Sequence, residues 1–481
     1  KMIQKLTTYF QHCVQSNWKV FALLVVLSVL FRILSFSYSV IDHDESTYLV
    51  IANELNKGAK LYTDVIDTKP PGIFLPFSLV ETLAGKSIFA IRLLGSLIIS
   101  LSAFLLFLIA QQLGSNRTIS FFTGLSYIVI FSCYRYGLAV NTELFFSFFA
   151  LAGLTVLFKA EQSNRPTLWL IGGTLIGFGF IFKYVVLAGF GAFSLFFLLE
   201  KSIFSKLGSK LLKFLLGLIG VLLPFLIIHL YFFMNGRFDD FYETIYRVTS
   251  RYSSAVTASE NFSFFLNFHV GYIPFILLFY YALFNKKINA DTRRLAVYWF
   301  VLAWIVVLLP GKPFKHYYLQ LVPPLSLIVP LAFNRLLSIK PLSAYSKTKL
   351  VGLSVAVALL VGIVNQSYFW VKPDPIKQIT AKLAPHLTKN DFILADKDLQ
   401  LAHYLLDLTP PTKYVHPTII FQHHRAFQLD TEQEMNRMLD KNPKFILYDK
   451  LKHYFETNQR IQNNYHFYER IEGVTILERN P

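Results

Sequence analysis

Long apolar runs alternate with short polar intervals from residue 20 to residue 368, and each run approaches the roughly 20 residues that a helix needs to cross a bilayer. The pattern predicts eleven spans, near 20–40, 90–113, 118–136, 143–159, 167–183, 184–200, 211–234, 263–284, 295–310, 318–337 and 350–370. The stretch 73–84 is apolar but short and follows Pro70-Pro71-Gly72, so it reads as a helix lying in the outer interface. After 371 the pattern changes. Short strand-type runs fall at 392–395 and 445–448, with helical patterns at 399–406, 432–439 and 451–458. A last strand pair, 466–471 and 474–477, turns at Glu472-Gly473. The expected fold class is a polytopic α-helical membrane protein of about 11 transmembrane helices plus interfacial helices. Residues 1–370 form the membrane domain, with a first outer loop at 41–89, and 371–481 form a small α/β domain outside the membrane.

Composition agrees with this pattern. Of 481 residues, 48 are Phe and only 16% are charged, against roughly 25% in ordinary soluble domains. The net charge of +17 could suggest nucleic acid, but the basic residues before 371 sit mostly in short loops between apolar runs. That placement speaks for membrane topology and anionic headgroups, with no nucleic-acid partner. With the N-terminus cytoplasmic, the inner loops collect lysines and arginines such as Lys19, Arg117, Arg165, Lys201, Lys206, Lys286, Lys287, Arg293 and Arg294. The outer loops collect Asp42, Asp44, Glu45, Asp64, Asp67, Asp239, Asp240 and Glu260. An odd number of spans then puts the C-terminal domain outside. Cys13 and Cys133 are far apart and have no metal spacing.

Candidate chemistry gathers on the outer side. Asp44 and Glu45 open a helix expected over 45–56, directly after the first span, with Tyr48 one turn on. The pair also reads as a plain helix start, where acids complement the dipole. Crowded against Asp42 at a membrane exit, however, a carboxylate is placed to take a proton from a hydroxyl. Lys69, in Thr68-Lys69-Pro70-Pro71-Gly72, reads either as a snorkelling lysine or as an ammonium held towards a phosphate by a rigid proline corner. Asn141 and Glu143 begin the fourth span, and Lys183 lies between two apolar runs, where it needs a turn or an anion. Arg247 and Arg251 lie in the outer loop 235–262 and serve either as a phosphate clamp or as a solvated face. Lys312, Lys315, His316, Tyr317 and Tyr318 form a basic, aromatic entry to the tenth span. His229 reads as a paired histidine inside the membrane, and the tail histidines His403, His416, His423 and His424 lack zinc spacing.

Together these residues resemble the bacterial branch of the GT-C membrane glycosyltransferases, near the protein O-mannosyltransferases and the aminoarabinose lipid A transferases. The matching pieces are Asp44-Glu45, Tyr62 with Asp64, Lys69-Pro70-Pro71, Asn141-Thr142-Glu143, and His316-Tyr317-Tyr318 before Pro323-Pro324. The resemblance implies inverting transfer of a sugar from a polyprenyl-phosphate donor to an extracytoplasmic glycan, lipid or protein, in contact with membrane lipid at a bacterial inner membrane. It implies Asp44 as base, with Glu45 beside it. Lys69, Tyr317, Lys183, Arg247, Arg251, Lys315 and His316 would serve the lipid phosphate, and Tyr48, Tyr62, Asp64, Asn141 and Glu143 the acceptor or sugar. The chain departs from the aminoarabinose pattern in two places. Thr47 stands where those enzymes carry an arginine, and Thr68 stands where they carry an acid before the lysine. No cofactor and no metal ligands are expected, and a divalent metal beside Lys69 is put in doubt by Thr68. The competing reading is a transporter or flippase of lipid-linked sugars. Transporters often show paired repeats and broken helices near the midplane, whereas these polar groups cluster at one surface.

Overall fold

A computed structural model describes residues 2–199, 207–252, 257–309, 314–339 and 347–481. The chain divides into two compact units. One comprises Lys1–Leu34, Arg92–Ile228 and Ser254–Ser367, and the other Ser35–Ile91, His229–Ser253 and Tyr368–Pro481. The first outer loop therefore clusters with the C-terminal region.

The first unit is a helical bundle. Among the described residues, four helices are long and apolar enough to cross a membrane: Ile88–Gln112, Thr142–Ser163, Gly208–Met234 and Lys315–Leu336. Two sharply bent helix pairs raise this to six if each pair counts as one span. Shorter apolar helices include Arg117–Ser132 and Thr167–Phe180, and a further helix covers Lys347–Val371. The expected span at 263–284 is one of the bent pairs, with a 94° turn between Ala258–Gly271 and Ile273–Phe284. Pro274 lies in the first turn of the second helix, where its missing N–H costs nothing and the chain can start afresh. The first expected span is also shorter, since its helix ends at Leu30. Arg32 follows, fully buried, with Nε donating to Ser96 Oγ at 3.1 Å and Nη2 to the Leu138 carbonyl at 3.1 Å. A cation at that depth persists only with such partners.

Helices Thr142–Ser163 and Thr167–Phe180 form an antiparallel hairpin. Asn164 caps the first in the left-handed conformation (φ 49°), and Pro166 follows. The two backbones approach closely at Gly153, where a Cβ would stand 2.5 Å from the Gly172 carbonyl oxygen. Any side chain there would force the hairpin apart.

In the second unit, helix His43–Asn56 packs on helix Phe74–Ala84 and on the tail helix Leu401–Leu406. Asp407, at the end of that tail helix, accepts from Lys86 Nζ at 2.5 Å and lies 3.2 Å from Lys57 Nζ. Those two ammonium groups hold its carboxyl at about 2. The tail sheet comprises β1 (Ile393–Ala395), β2 (Phe445–Tyr448), β3 (Tyr465–Ile471) and β4 (Val474–Arg479), in the order β1-β2-β4-β3. β1 and β2 run parallel, and the other pairings are antiparallel. The hairpin turns at Glu472 and Gly473, both at positive φ (50° and 89°). Such a two-residue turn follows the strand twist.

Candidate active site

Helix His43–Asn56 begins at a built cap. Asp42 is extended, and its side chain accepts from the Asp44 backbone N–H at 3.1 Å. This fixes the first turn, so Asp44 and Glu45 take set positions, and both are buried. After the helix the chain folds back through a tight loop. Asp64 accepts from the Lys60 N–H at 2.8 Å, Tyr62 takes a left-handed φ of 69°, and the Tyr62 N–H reaches the Val65 carbonyl at 2.7 Å. The Tyr62 ring packs against Phe232 and Phe241, and its hydroxyl donates to the Lys69 carbonyl at 2.8 Å. Pro70 and Pro71 then turn the chain into the next helix. The loop thereby delivers Lys69 Nζ to Asp44 Oδ2 at 3.0 Å, 25 residues along the chain. The ammonium also stands 5.8 Å from the centre of the Tyr48 ring, which is wedged edge-on between Phe74 and Phe77. Tyr62 and Asp64, expected to meet sugar or acceptor, thus shape the loop that presents Lys69.

Asp67 lies beside this pair and is buried. Burial pushes its carboxyl above the ordinary range and the Asp44 charge adds to this, while Lys69 acts against both. Three polar residues reach the same place unheralded by any motif. Gln400 donates to Thr47 Oγ1 at 2.6 Å and to the His43 carbonyl at 3.3 Å. The His416 ring meets His43 edge-on at 4.9 Å between centroids, with Nε2 3.9 Å from Asp44 Oδ1. His43 Nε2 is 3.6 Å from that same oxygen. Burial keeps the His416 imidazole neutral, with its pKa far below the usual histidine range, and the neighbouring His43 adds to this. Its position 372 residues after Asp44 gives no sequence signal. Only its place before Pro417, at a helix start, hints at a fixed conformation.

The other expected residues form separate groups. In the helical bundle, Glu143 is fully buried. It accepts from Lys183 Nζ at 2.5 Å and from Thr142 Oγ1 at 3.0 Å. The hairpin explains the pairing, because Glu143 and Lys183 lie 40 residues apart with the turn near their midpoint. Lys183 occupies an extended break before helix Leu187–Leu198. Its ammonium stands 4.0 Å from the Tyr317 ring centre, within cation–π range. Tyr317 in turn meets His316 edge-on. Asn141 is buried at the head of the Glu143 helix. Lys315 is exposed, and Lys312 lies outside the described residues. In the second unit, Arg247 and Arg251 hold Glu243 at 3.3 and 2.7 Å. His229 is paired as expected, with Nε2 2.7 Å from the Tyr246 hydroxyl.

Residues 68–231 match a family model described as dolichyl-phosphate-mannose-protein mannosyltransferase. The matched segment takes in Lys69, Glu143 and Lys183 but begins after Asp44. No curated protein sequence matches the chain. Among solved structures, the chain is similar to ArnT from Cupriavidus metallidurans bound to undecaprenyl phosphate. The identity is 13% and the TM-score 0.63, with 95% of this chain and 97% of that chain covered. The apo form of the same protein gives 14% identity and a TM-score of 0.66 over the same shares. The chain therefore shares the fold of that protein, and among its described residues are helices long and apolar enough to cross a membrane.

Proposed function

We propose that the chain transfers a sugar, with inversion, from a polyprenyl-phosphate donor to a glycan, lipid or protein on the outer face of a bacterial inner membrane. The observation that carries this reading is the pairing of the buried Asp44 carboxylate with the part-buried Lys69 ammonium at 3.0 Å. It joins a potential base to a potential phosphate ligand. The undecaprenyl phosphate in the similar ArnT structure supports the donor class.

In the proposed reaction the acceptor hydroxyl oxygen bonds to the anomeric carbon as that carbon's bond to the phosphate oxygen breaks. Asp44 takes the hydroxyl proton, and polyprenyl phosphate departs with the bonding pair. A carboxylate paired with an ammonium is a weak base, so the pair has to part before chemistry. An arriving phosphate would draw Lys69 to itself and return Asp44 to full basicity, which ties activation of the base to donor binding. Glu45 lies on the same helix turn and would add negative charge beside the developing oxocarbenium character. Lys183, Arg247 and Arg251 hold carboxylates, so each must exchange a partner to take phosphate. Tyr317, His316 and Lys315 are proposed as supporting donor contacts, and Tyr48, Tyr62, Asp64, Asn141 and Glu143 as groups that shape the sugar and acceptor side.

Charge-assisted bonds contribute about 1.5–3 kcal/mol, so Lys69→Ala should weaken undecaprenyl phosphate binding by about 10–100-fold. Titration of the lipid into protein held in nanodiscs measures this. An unchanged dissociation constant would leave Lys69 only as a structural partner of Asp44.

A further inference from the structure

We propose that Gln400, brought in from the C-terminal region, is a positioning residue for Asp44, an inference that rests on the reading of Asp44 as the base. Gln400 is buried. Its Nε2 donates to Thr47 Oγ1 at 2.6 Å and to the His43 carbonyl at 3.3 Å. Thr47 Oγ1 in turn donates to that carbonyl at 3.0 Å. The His43 carbonyl and the Asp44 N–H belong to one planar peptide group. Asp42 Oδ1 accepts from the N–H end of that plane at 3.1 Å, while Thr47 and Gln400 hold the carbonyl end. The plane that carries the Asp44 Cα is therefore clamped on both sides, which sets where its carboxylate points. A group that must meet a hydroxyl proton in the transition state depends on such placement.

The turn that carries Gln400 is itself fixed to the sheet. Asp396, directly after β1, donates its N–H to the Leu447 carbonyl in β2 at 2.9 Å. Its Oδ2 accepts from the backbone N–H groups of Asp449, Lys450 and Leu451 at 3.2, 2.7 and 2.8 Å. Its carbonyl accepts from the Leu399 N–H at 2.7 Å, within the short turn Lys397–Gln400. Gln400 thus reaches helix His43–Asn56 from a backbone held by β1 and β2, and rigid elements place a side chain more exactly than loops do. Among the described residues, the buried Gln400 Oε1 has no partner. An apolar side chain would fill this contact without that cost, so the amide is kept for its N–H bonds. At the far end of the same helix, Asp407 pairs with Lys57 and Lys86. Those ion pairs dock the same region without touching the turn that carries Asp44.

The test compares the full chain in nanodiscs as wild type, Gln400→Met, Thr47→Val, the double variant and Asp407→Asn. In Gln400→Met, the amides at 43–47 should exchange with deuterium about 3–10-fold faster, read by mass spectrometry of peptides, while those at 50–56 keep their rates. The kcat should fall by about 10–100-fold. Affinity for undecaprenyl phosphate should hold, because Lys69 is presented by its own loop. Thr47→Val should share the defect, and the double variant should be no slower than the slower single one, as expected of partners in one bond. Asp407→Asn should lower the unfolding midpoint and leave kcat unchanged. Unchanged exchange at 43–47, an unchanged kcat in Gln400→Met, or an equal loss of kcat in Asp407→Asn overturns the proposal. Thr47→Val decides the matter where Gln400→Met fails to fold. Exchange does not depend on sugar transfer, so a wild type that transfers no sugar removes the reading of Asp44 as base, while the exchange rates still decide whether Gln400 holds the turn.

Discussion

Replacing Asp44 by Asn lowers the rate of sugar transfer by about 10²–10⁴-fold, the usual contribution of a positioned general base. Asparagine keeps the shape and the place in the first turn, since the cap comes from Asp42. It cannot accept the hydroxyl proton, and it loses the ionic bond to Lys69. The defect should fall on kcat at saturating donor, because the group acts on the bond-making step. Donor affinity should hold or improve slightly, as Lys69 no longer has to leave a carboxylate. Initial rates with a synthetic polyprenyl-phosphate sugar, taken beside a thermal unfolding curve, separate chemistry from folding. A variant that folds and turns over within twofold of the wild type removes Asp44 from the reaction.

Lys183→Met destabilises the helical bundle by about 3–5 kcal/mol, the typical result of leaving one partner of a buried ion pair uncompensated. Glu143 is wholly buried and Lys183 nearly so, at 12% side-chain exposure. Their bond closes the open end of the hairpin, whose two backbones meet closely at Gly153 and Gly172. Removing the ammonium strands a carboxylate that also accepts from Thr142. Pairing the change with Glu143→Gln should recover most of the loss, since an amide is far less costly to bury than a charge. Unfolding midpoints of both single variants and the double variant in the same lipid provide the test. A Lys183→Met protein as stable as the wild type would show that the pair does not hold the hairpin.

How much of this was legible in the sequence depends on the distance over which each feature is set. The helix behind Asp44 was legible because its cap, first turn and apolar face lie within a few residues. The tail strands were legible too, and 445–448 falls on the observed Phe445–Tyr448 strand. Apolar length, in contrast, reports that a segment leaves water and not that its helix is unbroken. Hence the run 263–284 conceals a right-angled break at Tyr272 and Pro274, and the run 20–40 contains a helix that stops at Leu30. In the sequence Lys183 needs an anion and Glu143 needs a cation, 40 residues apart. Their pairing follows only once the turn at Asn164 is recognised as a hairpin. Asp64 also closes a turn onto Lys60, a local contact that no motif announces. His416 had no signal, because the fold brings it to Asp44 from the far end of the chain.

A lipid-linked phosphate sugar is the proposed donor, and Asp44 the group proposed to make it react. The most direct measurement follows the release of polyprenyl phosphate from a panel of radiolabelled polyprenyl-phosphate sugars, with envelope glycans, lipids and peptides as acceptors and nucleotide sugars as controls. Release is expected with at least one lipid donor, with an inverted anomeric linkage in the product, and almost none with Asp44→Asn. Turnover of a nucleotide sugar while every lipid donor stays intact would contradict this reading.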